Sequence, residues 1–445
     1  MSRRGWFVAL LVPVLAAAAV FAWRRLEGAA PEIRAPEQLV VGVAPRSLAI
    51  EVADQGSGLR EVVAVLSHAS GDQALASRSF AGSPLSGSET GEAAAAFEVS
   101  IDASALPREA EQAFLRITAR DWSWRGWLSG NQTQLDIPVR IDRRPPRVSV
   151  ATGLTYARRG GSGVVAYSIG EPVVRDGVEV GGAFFPGFAW GDGRVAVYAI
   201  PTDAPSNPEP RVIAEDEAGN IGRGAWPVVV KETQLPTAQV TLPESFLTDK
   251  VPDLAAAEGI DAADPEQAFA RINSEVRKRN EARIRELLAG GATDKLWDGA
   301  FEQWPNSKVT SRFAEQRTYF VGGRSNSQAT HFGYDLAATQ AAPVTAAAAG
   351  RVAHAGEIGI YGNCVLVDHG LGVATLYGHL SSLEVSAGDS VAKGQSLGRS
   401  GATGLAGGDH LHFAVLVSGA YVDPLEWWDP EWMAKNVDAR LPPRP

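Results

Sequence analysis

From about Ile33 to Ile141, apolar residues recur at every second position in short runs such as SLAIEVAD, EVVAVLSH and AFLRITARD. Each run ends in a cluster of Gly, Ser, Pro or Asp. Period-two alternation puts the apolar side chains on one face of an extended strand, and the turn-formers let the chain double back. This pattern predicts a small antiparallel sandwich whose two layers share a core. Pro145-Pro146 interrupts it, and PRVSVAT, GVVAYSI, GRVAVYAI, RVIAEDEAGN and AWPVVVK then repeat it to about Lys231. The two stretches share a landmark. A strand ends in Asp121 or Asp216, a turn reaches Gly130-Asn131 or Gly219-Asn220, and a last strand follows, QLDIPVRI or AWPVVVK.

These segments, with DQGSGLREV in the first stretch, resemble tandem bacterial immunoglobulin-like modules. The resemblance implies sandwiches over residues 33-143 and 145-231. It makes them the surfaces for envelope or division proteins and assigns them no chemistry. Trp122, Trp124 and Trp127 read as packing residues at a sandwich corner. Asp54, Asp121 and Asp216 read as turn-formers, because no series of alternating carboxylates accompanies them.

Before the first stretch, Trp6 to Trp23 is an apolar run of 18 residues bracketed by Arg3-Arg4 and Arg24-Arg25. At about 1.5 Å per residue this is near the lower limit for crossing a hydrocarbon core. Trp23-Arg24-Arg25 is a poor cleavage site, so an uncleaved membrane anchor with a cytoplasmic tip is expected within residues 1-30. The arginine pairs on both sides leave the charge rule for orientation silent. After the second stretch, residues 232-310 form a linker. Asp264-Pro265-Glu266-Gln267 supplies a cap, a proline for the first turn and a Gln at the third position. Ala268, Ile272, Val276, Ile284, Leu287 and Leu288 then recur at helical spacing, predicting one amphipathic helix over 264-289 with a solvated arginine-rich face.

A chain of 445 residues has room for two to four domains. Its net charge of -10 is opposite to the basic footprint of a nucleic-acid binder, so no nucleic acid is expected. One cysteine, Cys364, excludes an intramolecular disulfide framework and a cysteine-based structural zinc site. The histidines carry the chemistry. Of seven, all but His68 lie beyond residue 330: His331, His354, His369, His379, His410 and His412. His331 and Asp335 are four apart and His410 and His412 two apart, so each pair shares a face of an extended strand. Leu411, Phe413, Val415 and Val417 take the opposite face of the His412 strand. In VATLYGHL, alternation groups Val373, Thr375, Tyr377 and His379. Imidazoles with one carboxylate are the ligand set of a catalytic zinc site, which uses three protein ligands. Five candidates exceed three, and such a site also needs groups that handle protons and stabilise an oxyanion.

The run from His331 to Pro424 resembles the lysostaphin and LytM-type zinc endopeptidases of peptidoglycan, motif by motif. HFGYDLA matches their H-x-G-x-D segment. The small-residue strand PVTAAAAG, the Y-G-N strand, the D-H-G turn, YGHL, VSAGDSVAKGQ, the G-x-T-G loop and HLHF follow in order. The resemblance implies an antiparallel β metallopeptidase domain over 311-430, followed by a tail, 431-445. It implies one zinc ion held by His331, Asp335 and His412, with His379 and His410 as the catalytic histidines. His410 is assigned as general base, and His379 as partner for the intermediate or the leaving amine. Asn363 is a candidate contact to substrate. His369 and His354 lie outside the pattern and read as structural and surface residues, and Cys364 as a small buried hydrophobe. Asp409 stands where many members have proline, which puts loop rigidity or charge beside His410 in question.

The whole chain then reads as mainly β, with two immunoglobulin-like sandwiches, a helical connector and the metallopeptidase domain. The expected protein is a single-pass bacterial inner-membrane enzyme cutting peptidoglycan in the periplasm or outer envelope space. The rival is a catalytically silent regulator that activates a cell-wall amidase. It would show as loss of a ligand, and none of the five residues is missing. A second rival is a peptidase of exported proteins.

Overall fold

The computed structural model describes residues 3–88 and 94–443, with side chains from residue 12 onward. The chain is mainly β and divides into two units. One comprises Met1–Pro145 and Glu215–Ile221, the other Pro146–Ala214 and Gly222–Pro445.

In the first unit, strands Glu32–Arg34, Arg46–Ala53 and Ala94–Ile101 make a three-stranded antiparallel sheet. A five-stranded sheet runs in the order Leu39–Val41, Gln132–Ile141, Gln112–Asp121, Leu59–His68, Gly71–Ser79. Ile50, Val52 and Val99 from the first layer and Val62, Leu66, Leu115 and Ile117 from the second form one apolar core. The alternation seen in the sequence is the alternation of burial: along Gln112–Asp121, Ala113, Leu115, Ile117 and Ala119 face that core. One pairing is parallel, between Leu39–Val41 and Gln132–Ile141. The shared landmark has a physical basis. Asp121 accepts from the backbone N–H of Asn131 at 2.7 Å and from its Nδ2 at 2.8 Å. Asp216 makes the same two bonds to Asn220, at 2.8 and 2.9 Å. Packing accounts for two of the three tryptophans. Trp122 lies under the Arg60 guanidinium, and Trp124 Nε1 donates to the Pro84 carbonyl at 2.6 Å. Trp127 departs from that expectation and is fully exposed, in a left-handed turn at φ 55° that turns its ring outward.

The N-terminal helix runs Arg3–Arg25. The anchor expected over 1-30 falls partly outside the described residues, which omit residues 1–2 and the side chains up to residue 11. Among the described residues no helix is long and apolar enough to cross a membrane.

In the second unit, the largest sheet contains β1 (Lys308–Ser311), β2 (Tyr334–Ala337), β3 (Gly350–Ile358), β4 (Gly362–Gly370), β5 (Val373–Leu380), β6 (Ser390–Val391) and β7 (Leu411–Val417). Their spatial order is β1-β2-β7-β5-β4-β3-β6, with β8 (Ala420–Val422) on β7. This sheet has a core on each face. Leu411, Phe413, Val415 and Val417 of β7 belong to one, which also contains Val164, Val178, Val195 and Tyr198 from the 145-231 stretch. Residues 146–214 and 222–231 of that stretch are therefore packed into the second unit. Arg158 reinforces the junction, with Nε 2.8 Å from Glu426 and Nη2 2.9 Å from Asp423. Ala414 and Leu416 belong to the other core, with Ala268, Phe269, Ile272, Val276 and Ile284. These come from a continuous helical stretch, Pro265–Arg271, a π turn Ile272–Val276, and Arg277–Leu288. Its start is fixed by the Asp264 side chain, which accepts from the N–H groups of Glu266 and Gln267. A small sheet of Thr237–Thr241, Glu315–Val321 and Arg324–His331 completes the surroundings of the site.

Candidate active site

His331, Asp335 and His412 converge. His331 Nε2 lies 2.9 Å from Asp335 Oδ1 and 3.0 Å from His412 Nδ1, and His412 Nδ1 lies 3.0 Å from the same oxygen. His331 and Asp335 do not share one strand, as their even spacing suggested. His331 ends Arg324–His331, the chain turns at Phe332-Gly333, and Asp335 sits on β2. The reason is Gly333, where a Cβ would lie 2.6 Å from His412 Cε1 and 2.7 Å from the Phe413 carbonyl oxygen. Only a bare backbone turns here against the His412 ring. Asp335 is then aligned with His412 across the β2–β7 pair.

His379 also reaches the site by an irregularity. Strict alternation would place it with Tyr377, whose ring packs on Phe413 in the core of the opposite face. The β4–β5 register shifts between Val365–Tyr377 and Asn363–Leu380, so β5 carries an extra residue there. His379 takes φ 64°, and its ring lies 4.8 Å from that of His410 and 5.9 Å from that of His412. The bulge reverses the facing, and the left-handed backbone of a non-glycine residue is strain kept at a functional position.

The ring orientations are fixed by carbonyls, which only accept. Nδ1–H of His331 donates to Arg312 O at 3.1 Å, that of His379 to Thr403 O at 2.8 Å, and that of His410 to Gly408 O at 2.8 Å. In each neutral ring the lone pair is therefore on Nε2. His331 directs it at the Asp335–His412 pair, and His410 Nε2 lies 3.6 Å from Asp335 Oδ1. Burial opposes ionisation of Asp335, but His331 foremost among its imidazole neighbours holds the carboxyl well below the usual carboxylate range. Burial, with His410 and His412 adding to it, pushes His379 well down, so its ring is neutral. Burial works against protonation of His410, yet the Asp335 carboxylate wins and raises it.

A cleft of about 440 Å³ opens on these groups. Leu242, Phe246, Phe269, Tyr319 and Ile360 form an apolar side, and His331, Asp335, His379, His410 and His412 a polar one. Arg317 lines it as well, a residue that sequence reading missed. Its Nη2 is 2.9 Å from Asp335 Oδ2, while its Nε is 2.8 Å from Glu315. Only the pairing of Glu315–Val321 with the strand ending in His331 reveals this contact, since no motif spacing links Arg317 to Asp335. Tyr361 of the Y-G-N segment lines the cleft, its ring 5.5 Å from that of His412. Asn363 is not among the lining residues; its backbone N–H donates to Thr403 Oγ1 at 3.0 Å. Asp409 is a brace for the loop before His410, accepting from Ser400 Oγ at 2.6 Å and from Ala341 N–H at 3.0 Å.

The other histidines stay out of the site. His369 is fully buried; its Nδ1 donates to Ala349 O and its Nε2 lies 2.8 Å from Thr375 Oγ1. His354 is half-buried beside Gly356. Cys364 is fully buried, which pushes its thiol up to about 12 and removes it from nucleophilic chemistry.

Two imidazole nitrogens and a carboxylate oxygen, all within 3.0 Å of one another, are a donor set that suits zinc. Nδ1–H of His331 facing the Arg312 carbonyl leaves Nε2 as its ligand atom, and Asp335 is ionised, which is what such a metal requires of its ligands.

Residues 329–424 match the model of Peptidase family M23. Over 95 residues the chain is 42% identical to the DD-carboxypeptidase/endopeptidase Mpg of Neisseria meningitidis serogroup B, covering 21% of this chain and 22% of that protein. Over 131 residues it is 35% identical to the peptidoglycan DD-endopeptidase ShyB of Vibrio cholerae, covering 28% and 30%. The chain thus spans less than a third of the length of these curated relatives. Among solved structures, a putative peptidase M23 from Pseudomonas aeruginosa shares 23% identity, with 61% of this chain and 94% of that one covered and a TM-score of 0.38. The catalytic domain of lysostaphin from Staphylococcus simulans shares 30% identity, covering 28% and 92%, with a TM-score of 0.24. With its HFGYD and HLHF segments both inside the matched region, the C-terminal domain of this chain is a peptidase M23, or LytM-type, domain.

Proposed function

We propose that this protein is a zinc metalloendopeptidase that hydrolyses peptide cross-links or stem-peptide amide bonds of peptidoglycan. The observation that carries this reading is the pairing of a His331–Asp335–His412 donor set with two further imidazoles, His379 and His410, on one wall of an open cleft. The names of the relatives, which include peptidoglycan DD-endopeptidases, support the choice of substrate.

His331, Asp335 and His412 would hold the zinc. When bound, zinc supplies Lewis-acid polarisation of the scissile carbonyl and lowers the pKa of water. The chain's own residues do the rest. His410 takes a proton from the attacking water at Nε2, and the nearby Asp335 carboxylate favours the imidazolium that results. His379 stays neutral and its Nε2 accepts a hydrogen bond from the N–H of the scissile amide, orienting the leaving nitrogen. As the C–N bond breaks, His410 returns its proton to that nitrogen, so water is divided between the new carboxyl and the new amine. The apolar side of the cleft holds the stem peptide against Phe246, Phe269 and Tyr319.

The proposal extends to the rest of the chain. The two β stretches serve as immunoglobulin-like spacers and docking surfaces for envelope or division proteins, and the Trp6–Trp23 run as an inner-membrane anchor with the cleft in the periplasm. The anchor rests on the sequence of that run, and the modules on their alternating strands and repeated Asp–Asn corner. Incubation of the purified, zinc-loaded chain with intact peptidoglycan, followed by muropeptide analysis, tests the reading. Cross-linked muropeptides should decline with wild type and persist with His412→Ala. Unchanged muropeptides with zinc demonstrably bound would sink it and leave the amidase-activating rival.

A further inference from the structure

We propose that Glu27, Asp54 and Asp121 form a calcium site that fastens the segment leaving the N-terminal helix to the first β unit. The three residues come from separate parts of the chain: the stretch just past Arg25, the turn after strand Arg46–Ala53, and the end of strand Gln112–Asp121. One carboxylate oxygen from each lies within 4.8 Å of the other two. The only other such group among the described residues is His331–Asp335–His412.

Both aspartates are turn-formers, as the sequence suggests, but that role uses only part of their capacity. Asp121 is fully buried and accepts from the N–H groups of Ser123 and Asn131 and from Asn131 Nδ2. Asp54 is 3% exposed; its Oδ2 accepts from Gly58 N–H at 2.6 Å, while its buried Oδ1 has no hydrogen-bond partner among the described residues. A buried carboxylate oxygen without a donor is costly, and a cation satisfies it. Glu27 is brought in deliberately. A Cβ on Gly56 would lie 2.6 Å from Glu27 Cδ and under 3 Å from both its oxygens, so the carboxylate rests on bare backbone within the Asp54 turn. Glu27 Oε2 accepts from Ala29 N–H, and its main-chain carbonyl accepts from Ser123 Oγ at 2.9 Å and Asn131 Nδ2 at 3.2 Å.

Three carboxylates this close repel one another. None of them makes an ion pair among the described residues. Burial, then the charges of Asp121 and Glu27, push the Asp54 carboxyl up to about 6. An all-oxygen, irregular, trianionic pocket fits a hard cation, and calcium tolerates such geometry where magnesium demands a near-ideal octahedron. The Asp216–Asn220 corner serves as an internal comparison: it makes the same two Asp–Asn bonds, and Asp216 belongs to no such three-residue group among the described residues.

Terbium, a luminescent stand-in for calcium, tests the site, because Trp122 and Trp124 adjoin Asp121 as sensitisers. The full-length, zinc-loaded protein should show saturable emission from one terbium ion that calcium displaces. Asp54→Asn and Glu27→Gln should each weaken this binding about tenfold or more, while Asp335→Asn should leave it intact. Calcium should also raise the unfolding temperature of wild type, with the rise lost in Glu27→Gln. If Asp54→Asn does not fold, the half-buried Glu27 decides alone. The proposal is overturned if wild type shows no calcium-displaced emission, if Glu27→Gln binds as wild type does, or if Asp335→Asn abolishes the signal.

Discussion

Acid should weaken the second unit through His369, a residue remote from the chemistry. The imidazole, near the end of β4, is fully buried, with Phe301 packed on its ring at 4.8 Å between centroids. Its Nδ1 donates to Ala349 O at 2.8 Å, and Thr375 Oγ1 is 2.8 Å from Nε2 and 3.0 Å from Tyr377 Oη. Burial lowers its pKa from 6.5 to about 4. In the unfolded chain it takes a proton near pH 6.5, in the folded chain only near 4. Between those values the unfolded state binds more protons, so stability is complete above about pH 6.5 and falls as pH drops towards 4. A shift of about 2.5 units corresponds to about 3 kcal/mol. His412 is also lowered to about 4, chiefly by burial, so wild type should lose more than this, and the difference from His369→Asn isolates the His369 share. That variant keeps a donor for Ala349 O but gives up the partner of Thr375, costing about 1 to 3 kcal/mol at pH 7. Calorimetry at about pH 7 and pH 4.5, where most but not all of that difference is expressed, should show the transition of the second unit falling less with acid in the variant, by about 2 kcal/mol. Equal acid sensitivity in the two proteins would refute the assignment of His369 as a buried neutral group.

Three further outcomes follow from contacts in the second unit. Gly333→Ala puts a methyl against the His412 ring and Phe413 O; it should cost about 1 to 3 kcal/mol in thermal stability and weaken zinc retention in a chelator competition, whereas unchanged retention would deny Gly333 its role. Arg317→Ala removes the partner of Asp335 Oδ2, and the Arg317 charge is already balanced by Glu315. Loss of orientation should therefore outweigh relief of repulsion, lowering zinc affinity about 10- to 100-fold, and equal or tighter binding would reverse that ranking. Arg158→Ala leaves the buried Glu426 carboxylate, held also by Ser162 N–H at 2.8 Å, without its cation, and should destabilise the second unit by about 3 kcal/mol in urea titration; a change under about 0.5 kcal/mol would show the pair to be dispensable.

Much of the fold was legible because burial follows period in this chain. The alternation along Gln112–Asp121 and the opposite facing of His412 and Phe413 are direct consequences of strand geometry. Where the site departs from regular geometry, pattern misled. His379 reaches the cleft only because β5 bulges beside it, and His331 reaches Asp335 only because the chain turns at Gly333. No periodic rule signals a bulge or a turn that one glycine permits. Arg317 and Glu27 were invisible for another reason. Each works through a partner far away in sequence, and neither belongs to a motif. The Asp54 and Asp121 turns were read correctly one at a time, and only the three-dimensional fold sets their carboxylates together.

The proposed division of five residues into three zinc ligands and two groups that move or accept protons is tested most directly by His379→Ala and His410→Ala. Zinc content and turnover of a cross-linked muropeptide should be measured on the same samples. Both variants should keep one zinc per chain and lose turnover about 100-fold or more. Undiminished turnover in both, or loss of the metal with either substitution, would contradict that division.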